Sequence, residues 1–377
     1  MSRLEELIQK LCPNGVEYKE IKDIANVSIG EFVHKNKQNP NAEYPVFNGG
    51  ITNTGFYDEF NRTANKIIIS ARGANAGFVN RVFSNFWSGN SCYTIDVTDC
   101  TIDWNFLYYW LKSKEQKLLG DQQRGGIPAV SKKQVERFIT PVPPLEVQRE
   151  IVRILDSFTL LTAELTAELT ARKKQYEYYE HNLLFDDKYK RMKLSDLCTV
   201  NQGLQIPISK RLKEPRENCY RYITVQFLKN NEDEQYYIEN PDKNVICKED
   251  DILVTRTGST GVIVYGVEGC FHNNFFKVTP NELIHKKYMY FLLRSKYMYK
   301  KMLTAASGGT VPDLPHKKFY ALEVPVPTID EQKHIVEMLE KFNELCNDIS
   351  IGLPAEIEAR QKQYEFYRDK LLSFKQL

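Results

Sequence analysis

Pro141-Val142-Pro143-Pro144-Leu145-Glu146-Val147-Gln148-Arg149-Glu150-Ile151-Val152 decides the fold, because it returns 184 residues later as Pro325-Val326-Pro327-Thr328-Ile329-Asp330-Glu331-Gln332-Lys333-His334-Ile335-Val336. Both copies run on at the same offset, to Leu155 and Phe158 or to Leu339 and Phe342. Further along, Arg172-Lys173-Lys174-Gln175-Tyr176-Glu177-Tyr178-Tyr179 returns as Arg360-Gln361-Lys362-Gln363-Tyr364-Glu365-Phe366-Tyr367, offset by 188. Upstream, Ile21–Ile24 matches Leu194–Leu197, Ile67–Gly73 matches Ile252–Gly258, Tyr108–Ser113 matches Tyr290–Ser295, and Gly125–Pro128 matches Gly309–Pro312. The offset starts at 173 and reaches 188, so loops differ while a scaffold persists. So long a period excludes a solenoid and predicts two similar domains, each with a helical tail. Two-fold halves suit a two-fold ligand, and duplex DNA is the commonest.

From Ile151 the apolar positions run Ile151, Leu155, Phe158, Thr162, Leu165, Leu169, Arg172, Tyr176, Tyr179, Leu183. Strict four-three spacing is the mark of a coiled-coil seam. Pro143-Pro144 before it and Asp186-Asp187 after it bound a helix of about 40 residues, roughly 60 Å long. Its stripe is too narrow to be stable alone, and its own repeat is the obvious partner. There Ile335, Leu339, Phe342, Cys346 and Ile349 keep the spacing, Gly352-Leu353-Pro354 interrupts, and register resumes at Ile357, Arg360, Tyr364, Tyr367 and Leu371. The four extra residues predict a stutter or break. The intervening domain predicts antiparallel packing. Thr162-Ala163-Glu164-Leu165, repeated at once as Thr166-Ala167-Glu168-Leu169, reads as a duplicated spacer of about 6 Å.

The expected architecture is α+β: two similar mixed α/β domains, residues 1–144 and 188–328, separated by an antiparallel coiled coil of helices within 145–187 and 329–377, with a pseudo-two-fold. Strands are expected at Lys66–Ser70, Cys92–Ile95, Asp251–Thr255 and Phe275–Val278, and one helix per domain near Trp104–Leu119 and Tyr288–Leu303. Several loops have the chemistry of nucleic-acid contact. Lys35, Lys37, Lys210 and Arg211 lie in basic, polar turns; Gln123 and Arg124 precede Gly125-Gly126, and Ser307-Gly308-Gly309-Thr310 is the matching turn. Arg72 and Asn75, and Arg256, Thr257 and Ser259, follow apolar strands, while Asn273 and Asn274 precede another. Arg pairs guanine O6/N7, Asn and Gln pair adenine N6/N7, and Lys and backbone amides hold phosphate. Arg72 and Arg256 are taken as repeat-related, which leaves bracing of the fold or phosphate binding as alternatives to base reading.

Composition narrows the class. Fifty-one Lys and Arg against 49 Asp and Glu leave a net charge of +2, too small for a strong nucleic-acid binder acting alone. Basic groups gathered on one face, or partners, must supply the rest. Eight cysteines without a Cys-x-x-Cys pair indicate neither zinc nor a disulfide framework, so no metal is expected. No apolar run approaches membrane length and the N-terminus lacks a signal-peptide core, so a cytoplasmic protein is expected. Phosphate-loop, Gly-x-Gly-x-x-Gly and amino-methyltransferase signatures are missing. Pro312-Asp313 with Glu331-Gln332-Lys333 mimics a nuclease pattern, but the matching positions are Ala129 and Val147.

Two globular segments, each leading through Pro-Val-Pro-Pro-Leu-x-x-Gln or its relative into a helix ending in Arg-Lys-Lys-Gln-Tyr-Glu-Tyr-Tyr, resemble the specificity subunit of a type I restriction–modification system. The Thr-Ala-Glu-Leu duplication and Gly352–Arg360 resemble its type IC branch. The resemblance covers essentially the whole chain. It implies two target-recognition domains, each reading half of a split DNA sequence, and helices that set the spacing and dock two modification subunits. Those partners bind S-adenosylmethionine and methylate adenine, and two restriction subunits add ATP- and magnesium-dependent translocation and cleavage. This chain would hold no cofactor and no catalysis. A coiled-coil adaptor that never reads DNA is the alternative, disfavoured by the loop chemistry.

Overall fold

Lys66–Ser70 shows how the first domain is built. Its isoleucines alternate: Ile67 and Ile69 enter one core with Leu107 and Leu111, whereas Ile68 enters another with Val82 and Phe86. A strand covered on both faces reads as an unbroken apolar run. The computed structural model describes residues 3–119, 128–228, 235–306, 312–347 and 352–377. It divides into two compact units, Met1–Thr166 with Ile357–Leu377, and Ala167–Glu356.

In the first unit an antiparallel sheet runs Ala25–Ile29, Cys92–Val97, Lys66–Ser70, Val79–Val82. A second sheet of Gly55–Tyr57, Tyr44–Phe47 and Trp87–Ser88 packs on its Ile68 side, through Phe47 and Phe86. Glu17–Glu20 pairs with Ile139–Val142. The second unit repeats the design with Cys198–Gln202, Phe275–Pro280, Ile252–Thr255 and Ile263–Val264; its second sheet contains Tyr237–Glu239, Cys219–Ile223, Gly269–Phe271 and Ile246–Cys247. Ile252 and Val254 face the helix-side core and Leu253 the other side, as in the first unit. Register carries the duplication further than identity does. Ile95 pairs with Val27 and Ile67, and Val278 pairs with Val200 and Ile252.

The expected single helices are each two. Trp104–Ser113 stops at Lys114 before Glu115–Leu119, and Lys286–Arg294 stops at Ser295 before Lys296–Ala305. Lys114 (φ −118°, ψ 18°) and Ser295 (φ −55°, ψ 147°) leave the helical region. Ser295 Oγ accepts from Met298 N–H, so it caps the helix that follows. Apolar spacing continues through such a corner, which is why periodicity alone reads it as one helix.

The spacer helix spans Leu145–Leu184, 40 residues or about 60 Å. The repeated glutamine fixes where it starts. Gln148, wholly buried, donates to Thr101 O (2.8 Å) and Pro143 O (2.6 Å) and accepts from Asp103 N–H (2.8 Å). Gln332 donates to Leu283 O and Pro327 O and accepts from His285 N–H (2.7 Å). Each glutamine thus ties the proline turn to the residue preceding its domain helix. In the first unit Asp156 on the spacer helix adds a second tie. It binds Arg81 (2.8 Å) and Tyr109 Oη–H (2.6 Å), and the Arg81 guanidinium lies 4.7 Å from the Tyr108 ring centre.

The helix serves both units, to Thr166 in one and from Ala167 in the other. In the first unit Ile151 and Leu155 are buried with Leu372, and Tyr364 and Leu371 pack against them; Phe158 stacks on Tyr367 at 5.6 Å and 24°. In the second, Ile335 and Leu339 share a core with Tyr176 and Leu184, and Phe342 stacks on Tyr179 at 5.7 Å and 22°. The two stacks are repeat copies of one contact. Leu165 and Leu169 are half-buried. The C-terminal helix breaks, as Gly352 and Pro354 require, into Ile329–Asn347 and Leu353–Leu371; Ile349 and the Cys346 side chain lie outside the described part. Among the described residues no helix is long and apolar enough to cross a membrane, and no acidic, His and Cys cluster could hold a metal.

Candidate nucleic-acid interface

Four loop segments meet at the same end of each domain's sheets. In the first unit Glu31 N–H bonds Ser88 O (2.8 Å), Ala71 N–H bonds Ser91 O (2.7 Å) and Val130 N–H bonds Ala71 O (2.8 Å). In the second, Leu204 N–H bonds Phe271 O (3.1 Å), Arg256 N–H bonds Asn274 O (2.6 Å) and Leu314 N–H bonds Arg256 O (3.1 Å). Glycines make this crossing possible. A Cβ on Gly30 would stand 2.1 Å from Ser88 O, and one on Gly203 2.3 Å from His272 O, distances no side chain tolerates. Gly73 and Gly258 share φ +91°, and Gly77 and Gly261 share φ +81°, so the turn after the central strand opens and closes alike in both domains, with one more residue between the glycines in the first.

These bonds correct the expected pairing of arginines. Arg256 is the counterpart of Ala71, and Arg72 the counterpart of Thr257, because Gly73 and Gly258 fix the register. The two arginines also sit differently. Arg256 is held in a bidentate fork by Asp313, Nε to Oδ1 at 2.6 Å and Nη2 to Oδ2 at 2.9 Å. The hydrogen bond and charge of Arg256 draw the Asp313 carboxyl below its usual range, and Asp313 raises the guanidinium in return. That is the bracing arrangement: a fork already filled by a carboxylate does not present itself to a base. Arg72 is exposed, and one Nη2–H donates to Asn90 O at 3.2 Å.

Lys35 and Lys37 are exposed on the turn Lys35–Lys37, whose counterpart Ile208–Lys210 carries exposed Lys210 in the place of Lys37. Beside them stand exposed apolar groups, Phe32 at 55% and Ile208 at 70%. Arg211 turns inward: its Nε–H donates to Ile206 O (2.9 Å) and its guanidinium stacks over Tyr222. Asn273 Nδ2 donates to Gln205 Oε1 (3.3 Å), and its carbonyl accepts from Gln202. Asn274 caps the loop through its backbone, N–H to His272 Nδ1 (3.1 Å). Asn75, Thr257 and Ser259 are half-buried in the glycine turns. Gln123 and Arg124, and the Ser307–Thr310 turn, lie outside the described residues.

Sequence reasoning missed Gly30, Gly203 and Gln205. The glycines could have been found, since they keep the offset of 173 set by Ile21 and Leu194; Gln205 carried no signal. On the spacer helices Arg172 and Arg360 each donate to the glutamine three residues on, Gln175 or Gln363, at 3.1 Å. Each copy also turns an aromatic outward, Tyr178 at 65% and Phe366 at 66% exposed.

The family described as type I restriction modification DNA specificity domain matches residues 13–172 and 186–359. The chain is 34% identical over 290 residues to the type I restriction enzyme EcoR124I/EcoR124II specificity subunit of Escherichia coli, covering 71% of this chain and 70% of that one. It is 30% identical over 400 residues to a putative type I restriction enzyme specificity subunit of Haemophilus influenzae, covering 99% and 100%. The crystal structure of a type I restriction–modification S subunit from M. genitalium aligns with a TM-score of 0.59 at 21% identity, over 96% of this chain and 97% of that one.

Proposed function

The chain belongs to the type I restriction–modification DNA specificity family, and from this premise we propose how it works as the sequence-specificity subunit of such a system. Each domain reads one half of a split duplex target through this looped end. The observation that carries the reading is the repetition of that end: one backbone framework, with the same hydrogen bonds and glycines, bears different side chains in each domain. A structural adaptor has no use for such variation on a fixed frame. Lys37 and Lys210, equivalent and exposed, suit phosphate contacts that set the register. Arg211 and Arg256 serve the frame.

Two modification subunits are the proposed partners of the spacer helices. The duplicated Arg172–Gln175 and Arg360–Gln363 clasps with their outward Tyr178 and Phe366 offer two copies of one face, and so fit two copies of one partner. Two restriction subunits complete the system. In this reading the chain is non-catalytic and cytoplasmic, and S-adenosylmethionine, ATP and magnesium bind in the partners.

Domain exchange tests the function. Replacing residues 188–328 by the matching segment of a relative, with the modification subunits present, is expected to change one half-site and leave the other. Methylome sequencing reads the outcome, and a change in both half-sites refutes separate reading.

A further inference from the structure

The equivalent loop ends present opposed hydrogen-bonding sets, and this assigns a base to each. We propose that domain 1 reads a guanine through Arg72, and domain 2 an adenine through the amide pair Gln205–Asn273. The inference rests on the DNA-reading function above and adds which base each half-site must contain.

Three positions correspond across the frame: Phe32 with Gln205, Arg72 with Thr257, and Asn90 with Asn273. In domain 1 the presented polar group is a guanidinium, exposed and steadied from one side by Asn90 O at 3.2 Å. It makes no ion pair with any described residue, which leaves a donor-only edge. Guanine shows two acceptors, O6 and N7, in the major groove, and a donor-only fork matches no other base as well. In domain 2 the arginine position is Thr257, and the nearest arginine, Arg256, is filled by Asp313. What stands forward there is the exposed Gln205 joined to Asn273 at 3.3 Å. Once Asn273 Nδ2 has given a hydrogen to Gln205 Oε1, the pair offers Gln205 Nε2–H as a donor beside Asn273 Oδ1 as an acceptor. One donor next to one acceptor is the complement of adenine N7 and N6–H, and it fails against guanine, where O6 faces the acceptor. Gln202 binds the Asn273 carbonyl and Phe275 O, so the amide pair is mounted on a fixed turn.

The test uses the full chain assembled with its modification subunits. Binding is measured by competition with duplexes in which each base pair of the mapped target is exchanged in turn. Arg72→Gln is expected to cut the preference for one G·C pair about 5- to 150-fold and to move it toward A·T, only in the half-site assigned to domain 1 by domain exchange. Gln205→Ala and Asn273→Ala are each expected to lose preference at the same single A·T pair of the other half-site. Unchanged tryptophan emission for the Arg72 variants, unchanged far-UV circular dichroism for the Gln205 and Asn273 variants, and co-purification with the partners show that a variant is folded; should Arg72→Gln fail this, Arg72→Ala is expected to lose the G·C preference without gaining A·T. The proposal is overturned by a half-site of domain 1 without G·C, or of domain 2 without A·T. Weakening that is equal on every duplex marks phosphate contact and overturns it, as does no change. Failure of the underlying function looks different: the unaltered complex would then prefer no base pair anywhere.

Discussion

Gln148→Met tests whether one buried amide fixes the start of the spacer helix. Methionine keeps the length and bulk of the side chain but abandons Asp103 N–H, Thr101 O and Pro143 O, the last of them buried. Each abandoned group costs about 1–3 kcal/mol when no water reaches it. Partial relaxation of the segment before the domain helix, which holds two of the three, puts the expected loss at about 3–5 kcal/mol. At about 2 kcal/mol per molar urea the midpoint of the first unit falls by about 1.5–2.5 M. The assay is selective because all three tryptophans, Trp87, Trp104 and Trp110, lie in the first unit. Gln332→Met applies the same loss to the second unit, where far-UV circular dichroism shows it with little change in tryptophan emission. A loss below about 1 kcal/mol for both variants would refute the clamp.

Three further outcomes are expected. Burial raises the Glu180 carboxyl above its usual 4.5, although Tyr176 Oη–H donates to it. The folded form therefore keeps that proton longer, and the stability linked to it is lost as pH rises through the raised value. Glu180→Gln should stabilise the second unit at pH 7 more than at pH 4, and urea midpoints showing the reverse refute this. A third Thr-Ala-Glu-Leu after Leu169 adds roughly 6 Å of helix, so methylome mapping should show the gap between half-sites grown by one or two bases with the half-sites unchanged; an unchanged gap rejects the ruler. Burial pushes the Cys92 and Cys247 thiols up to about 11 and Cys198 and Cys270 to about 12, whereas Cys100 is exposed. Peptide mapping after thiol alkylation should find Cys100 modified well before those four, and equal rates contradict the burial.

Periodicity and repetition are properties of the chain, and what depends on them was legible in it. The spacer helix was expected from its four-three spacing, the break near Gly352 from the stutter, and the strand Lys66–Ser70 from its apolar run. What hid was set by contacts distant in sequence. The corners at Lys114 and Ser295 are single-residue departures inside a continuing apolar pattern. The second sheet uses Tyr44–Phe47, Gly55–Tyr57 and Trp87–Ser88, too short to alternate visibly. In the loops, Arg72 and Arg256 look alike until Asp313, 57 residues on, occupies one of them. Identical residue types near matching strands suggested an equivalence that the glycine turns, and the backbone bonds around them, deny.

The paired stacks, Phe158 on Tyr367 and Phe342 on Tyr179, describe a domain swap made permanent. Each repeat surrenders its tail to the body of the other, since the first unit takes Ile357–Leu377 and the second takes its share of the spacer from Ala167. A polypeptide ending near residue 187 would hold an acceptor surface at Phe158 and a donor tail at Tyr179 that match each other's type. Two such polypeptides could then exchange tails as a symmetric homodimer and present the same reading end twice. A chain carrying one repeat is therefore expected to pair with a second copy by exchanging tails. In the fused chain each reading end can carry its own side chains while both tails stay within one polypeptide.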